Sequence, residues 1–355
     1  MANSTTNATE PTPNWQLYGA VETFTVVFLS FLALGTTTAN GFTLYTIYKD
    51  PLKCFRTPLT IFIAGILVSD FLTGLIVEPV LAILYSINYI HIHLLRTIQV
   101  VAMITINTSF FIILALAIAQ FLALKYPIVY ERWFTNRSSI VIIVCVWAYS
   151  CTFSLLPEIF GMSMWAFYTI DLILNTTLVT IALVIIYVFT YIVFKRKNRE
   201  LGENNEQPNQ RPASQRAKEQ IDNDFLKGTF LLTVILIVTV WPFMIALYIW
   251  IFNPYLNMAK LVEEYTALII CENLLYLKFL WDPLIFIMRV SKYRKAVVME
   301  FTGIVQWCGC RCIPGGGGVV VYNRYDNEET TRADADGQEE TVVEEVQESH
   351  TSVKS

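Results

Sequence analysis

The sequence contains seven apolar runs separated by short polar segments. A run of about 20 apolar residues is long enough to cross the roughly 30 Å of hydrocarbon in a bilayer as one α-helix. The least ambiguous run, Phe230 to Phe252, contains no charged residue. The seven runs lie near residues 20–48, 58–86, 96–124, 139–157, 168–194, 229–252 and 264–288. The sequence therefore predicts an all-α membrane protein, a bundle of seven transmembrane helices.

The composition favours the same environment. Charged residues make up 15% of the chain and hydrophobic residues 55%, whereas about 25% of an ordinary soluble domain is charged. A β-barrel would need short alternating strands, and a soluble helical bundle would need polar helix faces. Neither pattern is present, so we expect a multi-pass protein of the plasma membrane whose solvent is the lipid bilayer.

Lysine and arginine are distributed unevenly between the two sets of connections. Cytoplasmic connections accumulate these residues, and the first, third and fifth connections hold most of them here. The connections on the other side offer only Arg96 and Lys260. We therefore expect the N-terminus outside the cell and the C-terminus in the cytoplasm. The bases of the odd-numbered connections are Lys49, Lys53, Arg56, Lys125, Arg132, Arg137 and eight residues between Lys195 and Lys227.

The two ends of the chain differ in chemistry. The N-terminal segment holds two N-glycosylation sequons, at Asn3 and Asn7. From Tyr322 onward there are ten acidic residues against three basic ones, a composition that predicts a disordered tail. The predicted regions are an extracellular segment at 1–19, a transmembrane domain at 20–290, an amphipathic eighth helix at 291–303 and an acidic cytoplasmic tail at 304–355.

Three cysteines follow the last apolar run within the sequence WCGCRCIP. Cysteines close to a membrane helix are candidates for reversible palmitoylation, which would tie the chain to the inner leaflet. A zinc knuckle is the alternative, but this spacing with no nearby histidine supplies four tetrahedral ligands poorly. No cysteine falls convincingly in an extracellular loop, so no extracellular disulfide is predicted. The palmitoylation candidates are Cys308, Cys310 and Cys312.

Ionisable residues are rare inside the apolar runs, since each costs about 2.5–3.5 kcal/mol at the centre of a membrane helix. Asp70 lies in the middle of the second run, while Lys278 and Asp282 lie four residues apart in the seventh, on one helix face. We expect these three residues to form an interior cluster, with Asn40 and Ser109 supplying hydrogen bonds. The alternative is simple charge neutralisation that holds the helices together.

Two prolines interrupt the sixth and seventh runs. Pro242 and Pro283 each remove a backbone hydrogen bond and kink the helix that contains them. Because a kinked helix can pivot, both prolines are candidates for a role in activation. Trp241 beside Pro242 is a candidate moving part, and equally a candidate packing aromatic.

Several dispersed motifs, in the right order, make residues 20–300 resemble the rhodopsin-like (class A) G-protein-coupled receptors. Asn40-Gly41 is similar to the first-helix signature in reversed order, and RTPLTIFIAGILVSDFLTGL, with Asp70, is similar to the second-helix motif. Trp147 stands where the fourth helix carries its tryptophan. VWPF, DPLIF (ending at Phe286) and SKYRKAVVMEF resemble the sixth-helix, seventh-helix and eighth-helix sequences. The resemblance implies a receptor that binds an extracellular ligand within the bundle and signals to a heterotrimeric G protein.

Within the family, the chain is similar to the melanocortin, cannabinoid and lysophospholipid receptor branch. The shared features are Asp-Pro in place of Asn-Pro in the seventh helix, a short second extracellular segment, no fifth-helix proline and no third-helix cysteine near Leu95. The acidic residues through which melanocortin receptors hold calcium and peptide are not evident, since Val80, Leu95 and Gln99 stand near those places.

Single positions weigh against two other subfamilies. An amine receptor would place an aspartate near Ala102, which is apolar. An opsin would place its retinal lysine at Tyr276, and Lys278 lies two residues later, about 200° around the helix. A retinal Schiff base is therefore not expected.

The resemblance places the ligand pocket among the outer halves of the helices. Glu272 and Tyr276 lie four residues apart on one face of the seventh helix. Asp171 and Glu78 either add negative charge at the outer mouth, which hints at a cationic ligand, or are solvated interface residues. The candidate ligand-binding residues are Gln99, Met103, Phe243, Glu272 and Tyr276.

The third run ends in Ala119-Gln120-Phe121, where the family carries Asp-Arg-Tyr. The family's arginine pairs with carboxylates at rest and contacts the G protein in the active state. Losing both charges together is physically coherent, because removing one member of a buried pair would strand the other. Gln120 could still share a hydrogen bond with a sixth-helix acid such as Asp222. Two outcomes stay open: a receptor that signals through a G protein, and one that couples poorly and acts through arrestin or as a scavenger.

Other functional classes find less support. A transporter or channel would need an internal repeat or a polar pore stripe, and isolated interior charges provide neither. No nucleophile and base stand together, so no enzyme is predicted. No cofactor, metal or nucleic-acid partner is expected, and the lipid bilayer is the expected surrounding.

Overall fold

The computed structural model describes residues 12–53, 55–87, 92–203, 213–253 and 257–307, and all regular secondary structure within these ranges is helical. The described residues fall into two units that divide after Glu300, and the packing below is that of the first. The long helices are α1 (Trp15–Lys49), α2 (Pro58–Ser86), α3 (Ile92–Lys125), α4 (Asn136–Ser154), α5 (164–203), α6 (Ala213–Phe252), α7 (Met258–Arg289) and α8 (Ser291–Trp307), with short helices at Pro127–Trp133 and Leu156–Phe160.

Each of the seven predicted apolar runs coincides with one of the helices α1 to α7, although the fourth run, 139–157, extends three residues past the end of α4 at Ser154, and this confirms the seven-helix bundle. Among the described helices, α1 to α6 are long and apolar enough to cross a membrane. The 32-residue α7 is long enough but holds Glu272, Lys278 and Asp282. Lys278 and Asp282 are fully buried, so α7 turns these charges toward the bundle and packs between α1 and α6.

Side-chain caps fix where several of these helices begin. A capping side chain accepts a hydrogen bond from a backbone N–H that has no partner inside the helix. The side chains of Asn14, Thr57, Thr135 and Asn257 accept such bonds at the starts of α1, α2, α4 and α7, at 3.0, 3.3, 3.2 and 3.1 Å. Pro58, which has no N–H to satisfy, occupies the first turn of α2.

The helices α2 and α5 each contain one π-helical turn, at Thr73–Val77 and Leu172–Thr177. A π-turn adds a residue to the helix and so rotates the following side chains by about 100° relative to an uninterrupted α-helix. In both helices an acidic residue borders the turn, Glu78 after the first and Asp171 before the second. The π-turns therefore help to decide where these two carboxyl groups lie.

Two clusters of buried apolar side chains fill the bundle. One includes Phe62, Phe110 and Leu236, and the other includes Leu84 and Phe279. The first of them lies toward the end of the bundle where α7 finishes, and the second toward the end where α1 begins. Burial of this kind excludes lipid and water from the interior, so polar groups between the clusters must satisfy one another.

Helices α1 and α2 approach closely at Gly74, in the first π-turn. A Cβ atom at this position would lie 2.7 Å from Thr36 Cγ2, 2.8 Å from Thr36 Cβ and 2.9 Å from the backbone nitrogen of Thr37. The backbone atom cannot rotate away as a flexible side chain could. Only glycine therefore allows this spacing between the two helices.

We expect Gly74→Ala to destabilise the bundle, because overpacking typically costs about 1–3 kcal/mol. The matched control is Gly19→Ala in α1, since a Cβ there would meet nothing within 4 Å and alanine favours helix. Melting of the purified protein in detergent would show a lower transition temperature for Gly74→Ala alone. An equal transition temperature for the two variants would contradict the close approach.

Candidate functional site

A cavity of about 310 Å³ opens among α2, α3, α5, α6 and α7, toward the end of the bundle where α1 begins. Its walls are mainly apolar and aromatic, as is usual for small-molecule sites. The sequence proposed five ligand-binding residues, and the structure brings all five to the lining of this one cavity: Gln99, Met103, Phe243, Glu272 and Tyr276.

The Glu272 carboxylate is held by two tyrosines on the wall formed by α2 and α7. The Tyr85 hydroxyl donates a hydrogen bond to Glu272 Oε2 at 3.2 Å, and the Tyr276 hydroxyl, one helical turn along, also interacts with this carboxylate. Tyr276 is buried, whereas Glu272 keeps part of its surface open to the cavity. Both of these partners of the carboxyl group are neutral hydroxyl groups.

A second carboxylate, Asp171, lines the cavity from α5. Its Oδ1 accepts hydrogen bonds from the side-chain amides of Asn107 on α3 and Asn175 on α5, both at 2.9 Å. The Tyr149 hydroxyl on α4 donates to Asn175 Oδ1 at 2.7 Å. Asp171 was a candidate from the sequence but this network was not, although isolated asparagines inside apolar helices were an available signal.

Glu78 does not lie at the mouth of the cavity, so the sequence-based expectation for this residue was wrong. Its side chain is fully buried, and the Thr36 hydroxyl of α1 donates to Glu78 Oε1 at 3.4 Å. The position follows from the π-turn that precedes Glu78, in the part of α2 that packs closely against α1. Glu78 therefore belongs to the α1–α2 contact and not to the cavity lining.

Polar and aromatic contacts surround the rim of the cavity. The Tyr168 hydroxyl donates to Gln99 Oε1 at 3.1 Å, and Trp250 packs against Trp165 and Tyr265 with ring centroids 6.5 and 5.5 Å apart. Arg96 at the start of α3 forms an ion pair with Glu158 of the short helix after α4. These contacts join α3, α5, α6, α7 and the segment after α4 around the opening.

A buried ion cluster, composed of Asp70, Ser109, Lys278 and Asp282, lies deeper in the bundle. The Lys278 ammonium donates to Asp282 Oδ2 at 2.6 Å and to Ser109 Oγ at 2.8 Å, and it lies 3.7 Å from Asp70 Oδ1. Ser109 in turn donates to Asp70 Oδ1 at 2.9 Å. All four side chains are fully buried, so α2, α3 and α7 meet around one ammonium group.

Two aromatic rings and a neighbouring amide complete the surroundings of the ion cluster. Lys278 Nζ lies 4.5 Å from the ring centroid of Phe279 and 5.8 Å from that of Phe110, within the range of cation–π attraction. Asn40 does not join the cluster: its amide donates to the backbone carbonyls of Thr36 and Phe279, each at 2.9 Å. Asn40 therefore links α1 to α7 beside the cluster.

The structure does not bring Trp241 to the interior. Its side chain is 48% exposed, while the preceding residue, Val240, is fully buried and lines the cavity. Neighbouring residues of a helix point about 100° apart, so a Val240 that faces inward turns Trp241 outward. Phe243, three residues after Val240, lies on the same helix face and lines the cavity instead. A packing role on the outer surface fits Trp241 better than a moving part in the core.

At the far end of α3, Ala119 is fully buried and Gln120 nearly so, at 5% exposure. Phe121 is partly buried, with Lys125 Nζ 5.5 Å from its ring centroid. Asp222 lies in α6 among residues whose side chains fall outside the described part of the structure. The contact expected between Gln120 and Asp222 therefore stays a prediction.

The last turns of α7 are buried as well. Pro283 and Phe286 both lie in the interior, and the ring of Phe286 lies 6.3 Å from that of Tyr293 in α8. The Tyr293 hydroxyl donates to Thr60 Oγ1 of α2 at 3.2 Å.

The predicted modification sites lie outside the described residues: Asn3, Asn7, Cys308, Cys310 and Cys312.

We expect Lys278→Met to destabilise the protein strongly, because breaking a buried ion pair by removing one partner typically costs about 3–5 kcal/mol. The double variant Lys278→Met/Asp282→Leu, which removes one carboxylate along with the ammonium, should recover part of the loss. Lys260→Met is the control, since Lys260 lies exposed on the same helix. Thermal melting in detergent measures all three, and a Lys278→Met variant as stable as Lys260→Met would contradict the pairing.

Comparisons with known proteins agree with this architecture. The family model described as "7 transmembrane receptor (rhodopsin family)" matches residues 39–286. Melanocortin receptor 5 of Rattus norvegicus is 23% identical over 288 residues, covering 75% of this chain and 81% of that receptor. The crystal structure of squid rhodopsin superposes with a TM-score of 0.67 at 16% identity, over 82% of this chain and 88% of that one. The chain therefore belongs to the rhodopsin family of seven-transmembrane receptors and is a G-protein-coupled receptor, not an enzyme.

Proposed function

We propose that this receptor binds a cationic extracellular ligand in the cavity, with Glu272 as its anchor, and passes the signal to a heterotrimeric G protein at the opposite end of the bundle. The observation that carries the proposal is the convergence of Gln99, Met103, Phe243, Glu272 and Tyr276 on one cavity. The surplus of Lys and Arg in the odd-numbered connections supports a plasma-membrane orientation with the N-terminus and the cavity outside.

Helix α7 supplies a physical route from the cavity to the cytoplasmic end. Glu272 lines the cavity, Lys278 holds the ion cluster six residues later, and Pro283 interrupts the backbone hydrogen bonding one residue after Asp282. A ligand that draws Glu272 inward would shift the helix that carries all of these groups. Such a ligand favours whichever arrangement of α7 it binds more tightly.

Lys278 supports a receptor for a diffusible ligand over an opsin-like photoreceptor. Its ammonium is bound to Asp282 and Ser109, and Lys278 is not among the residues that line the cavity. Tyr276 stands on the cavity wall at the place where an opsin would have its lysine. The similarity to melanocortin receptor 5 supports membership of the melanocortin, cannabinoid and lysophospholipid receptor branch, which the Asp-Pro pair of α7 also suggests. Val80, Leu95 and Gln99 stand near the places where melanocortin receptors carry acidic residues.

The buried Ala119 and Gln120 give the cytoplasmic end of α3 a different chemistry from that of an Asp-Arg pair. Without the buried charges, the resting state holds a neutral side chain, whose hydrogen bond is worth about 1 kcal/mol. A resting state that is held by a weaker interaction favours basal activity, because the equilibrium shifts toward the active state. The second candidate is a receptor with poor G-protein coupling that works through arrestin or as a scavenger, and the same missing arginine favours it.

We expect cells that express the wild-type receptor to show second-messenger levels above those of mock-transfected cells, without added ligand. The double variant Ala119→Asp/Gln120→Arg should lower this basal signal, because it restores a charged pair that stabilises the resting state. Gln120→Arg alone should reduce surface expression, because it buries one unpaired charge. A wild type and double variant that both stay at the mock level for every G-protein family tested would favour the second candidate.

A further prediction concerns the ligand anchor. In a screen of cationic compounds on expressing cells, Glu272→Gln should lose the responses that wild type gives, since it removes the charge and keeps the shape. Glu263→Gln is the matched control, because Glu263 is exposed on the same helix and does not line the cavity. Responses that survive unchanged in Glu272→Gln would remove Glu272 from the site.

A further inference from the structure

We propose that the natural ligand carries two amine cations joined by a short apolar spacer, one for Glu272 and one for Asp171. This inference rests on the proposed function, because it concerns the same cavity. It goes beyond that proposal by adding a second anchor and by defining the chemical class as an aliphatic diamine.

The two carboxylates stand on different walls of the cavity. Glu272 belongs to α7 and is joined to α2 through Tyr85. Asp171 belongs to α5 and is joined to α3 through Asn107. Both residues line the same cavity, so a ligand that reaches both must span the space between these walls.

Only neutral groups donate to these carboxylates among the hydrogen bonds that the structure shows. Tyr85 and Tyr276 act on Glu272, and two asparagine amides act on Asp171. None of the described residues that line the cavity is Lys, Arg or His. Arg96, a cation at the start of α3, is paired with Glu158. A partly buried anion without a cationic partner is costly, and a ligand with two cations would relieve both carboxylates at once.

The Asp171 carboxylate is held ready for a ligand. Both amides donate to Oδ1, and Asn175 is itself fixed by the Tyr149 hydroxyl of α4. The hydrogen bonds that the structure shows from these two amides both go to Oδ1 and not to Oδ2. A carboxylate held by rigid neighbours loses little conformational freedom on binding, so more of the ion-pair energy remains for affinity.

Apart from the two carboxylates, the cavity lining is mostly apolar. Met103, Phe243, Leu247 and Leu275 contribute to it. A polar or highly hydrated linker would lose water there without compensation, whereas a chain of methylenes would be buried favourably. The volume of about 310 Å³ lies at the small end of ligand sites, which favours a small molecule.

The test uses the full-length receptor, purified in detergent, with melting temperature as the measure of binding. The probes are α,ω-diaminoalkanes of graded chain length, with the monoamine and the diol of each length as controls. One intermediate diamine should raise the melting temperature more than its monoamine at equal concentration, and its diol should have no effect. Equal shifts for diamine and monoamine at every length would overturn the proposal, and this comparison needs no variant.

Two variants assign the cations to their partners. Asp171→Asn and Glu272→Gln should each weaken the affinity for the best diamine about tenfold or more, to the level of the monoamine. Glu263→Gln should leave it unchanged. If Asp171→Asn does not fold, Glu272→Gln alone still makes the distinction. A preference for the diamine that persists in a folded Asp171→Asn or Glu272→Gln variant would overturn the assignment.

The binding measurement and the signalling measurement fail separately. Diamine binding in the purified receptor, with no G-protein activation in cells, would sink the proposed coupling and leave the diamine site standing. Signalling in cells, together with equal binding of diamines and monoamines, would sink the diamine site and leave the proposed coupling standing. The two proposals can therefore be judged independently.

Discussion

The pairing of Lys278 with two carboxylates is the interaction on which the rest of the bundle depends. A lone charge inside a membrane helix is expensive, so Asp70 in α2, Lys278 in α7 and Asp282 in α7 are tolerable only when they meet. Their meeting point also joins the two apolar clusters, since the ammonium lies over Phe110 of one and Phe279 of the other. The charges therefore set which faces of α2, α3 and α7 turn inward.

That constraint also places the cavity. With Lys278 and Asp282 turned toward α2 and α3, Glu272 and Tyr276 in the earlier turns of α7 face the space between α2, α3 and α6. The π-turn of α5 then sets Asp171 and Asn175 against Asn107 on another wall. The polar residues of the interior are scattered in the sequence, but in the structure they form two groups: the carboxylates that line the cavity and, deeper in the bundle, the ion cluster.

Much of this arrangement could be predicted from the sequence, because it depends on the spacing of nearby residues or on the apolar length that a helix needs to cross the membrane. Apolar length predicted the helices, and the spacing of Lys278 and Asp282 predicted their shared face. Glu78 and Trp241 were harder to place. A π-turn rotates Glu78 away from the cavity, and a one-residue offset turns Trp241 outward beside an inward Val240. The Asp171 network was missed because its partners, Asn107 and Tyr149, come from different helices, and their meeting depends on tertiary packing.

The proposed function couples a ligand cavity at one end of this bundle to a G protein at the other, despite Gln120 in place of an arginine. Guanine-nucleotide exchange by purified heterotrimeric G proteins, mixed with the receptor in lipid nanodiscs, tests it most directly. We expect exchange faster than with empty nanodiscs for at least one G-protein family, and a further change when a cavity ligand is added. Exchange at the rate of empty nanodiscs for every family, with a correctly folded receptor, would contradict it.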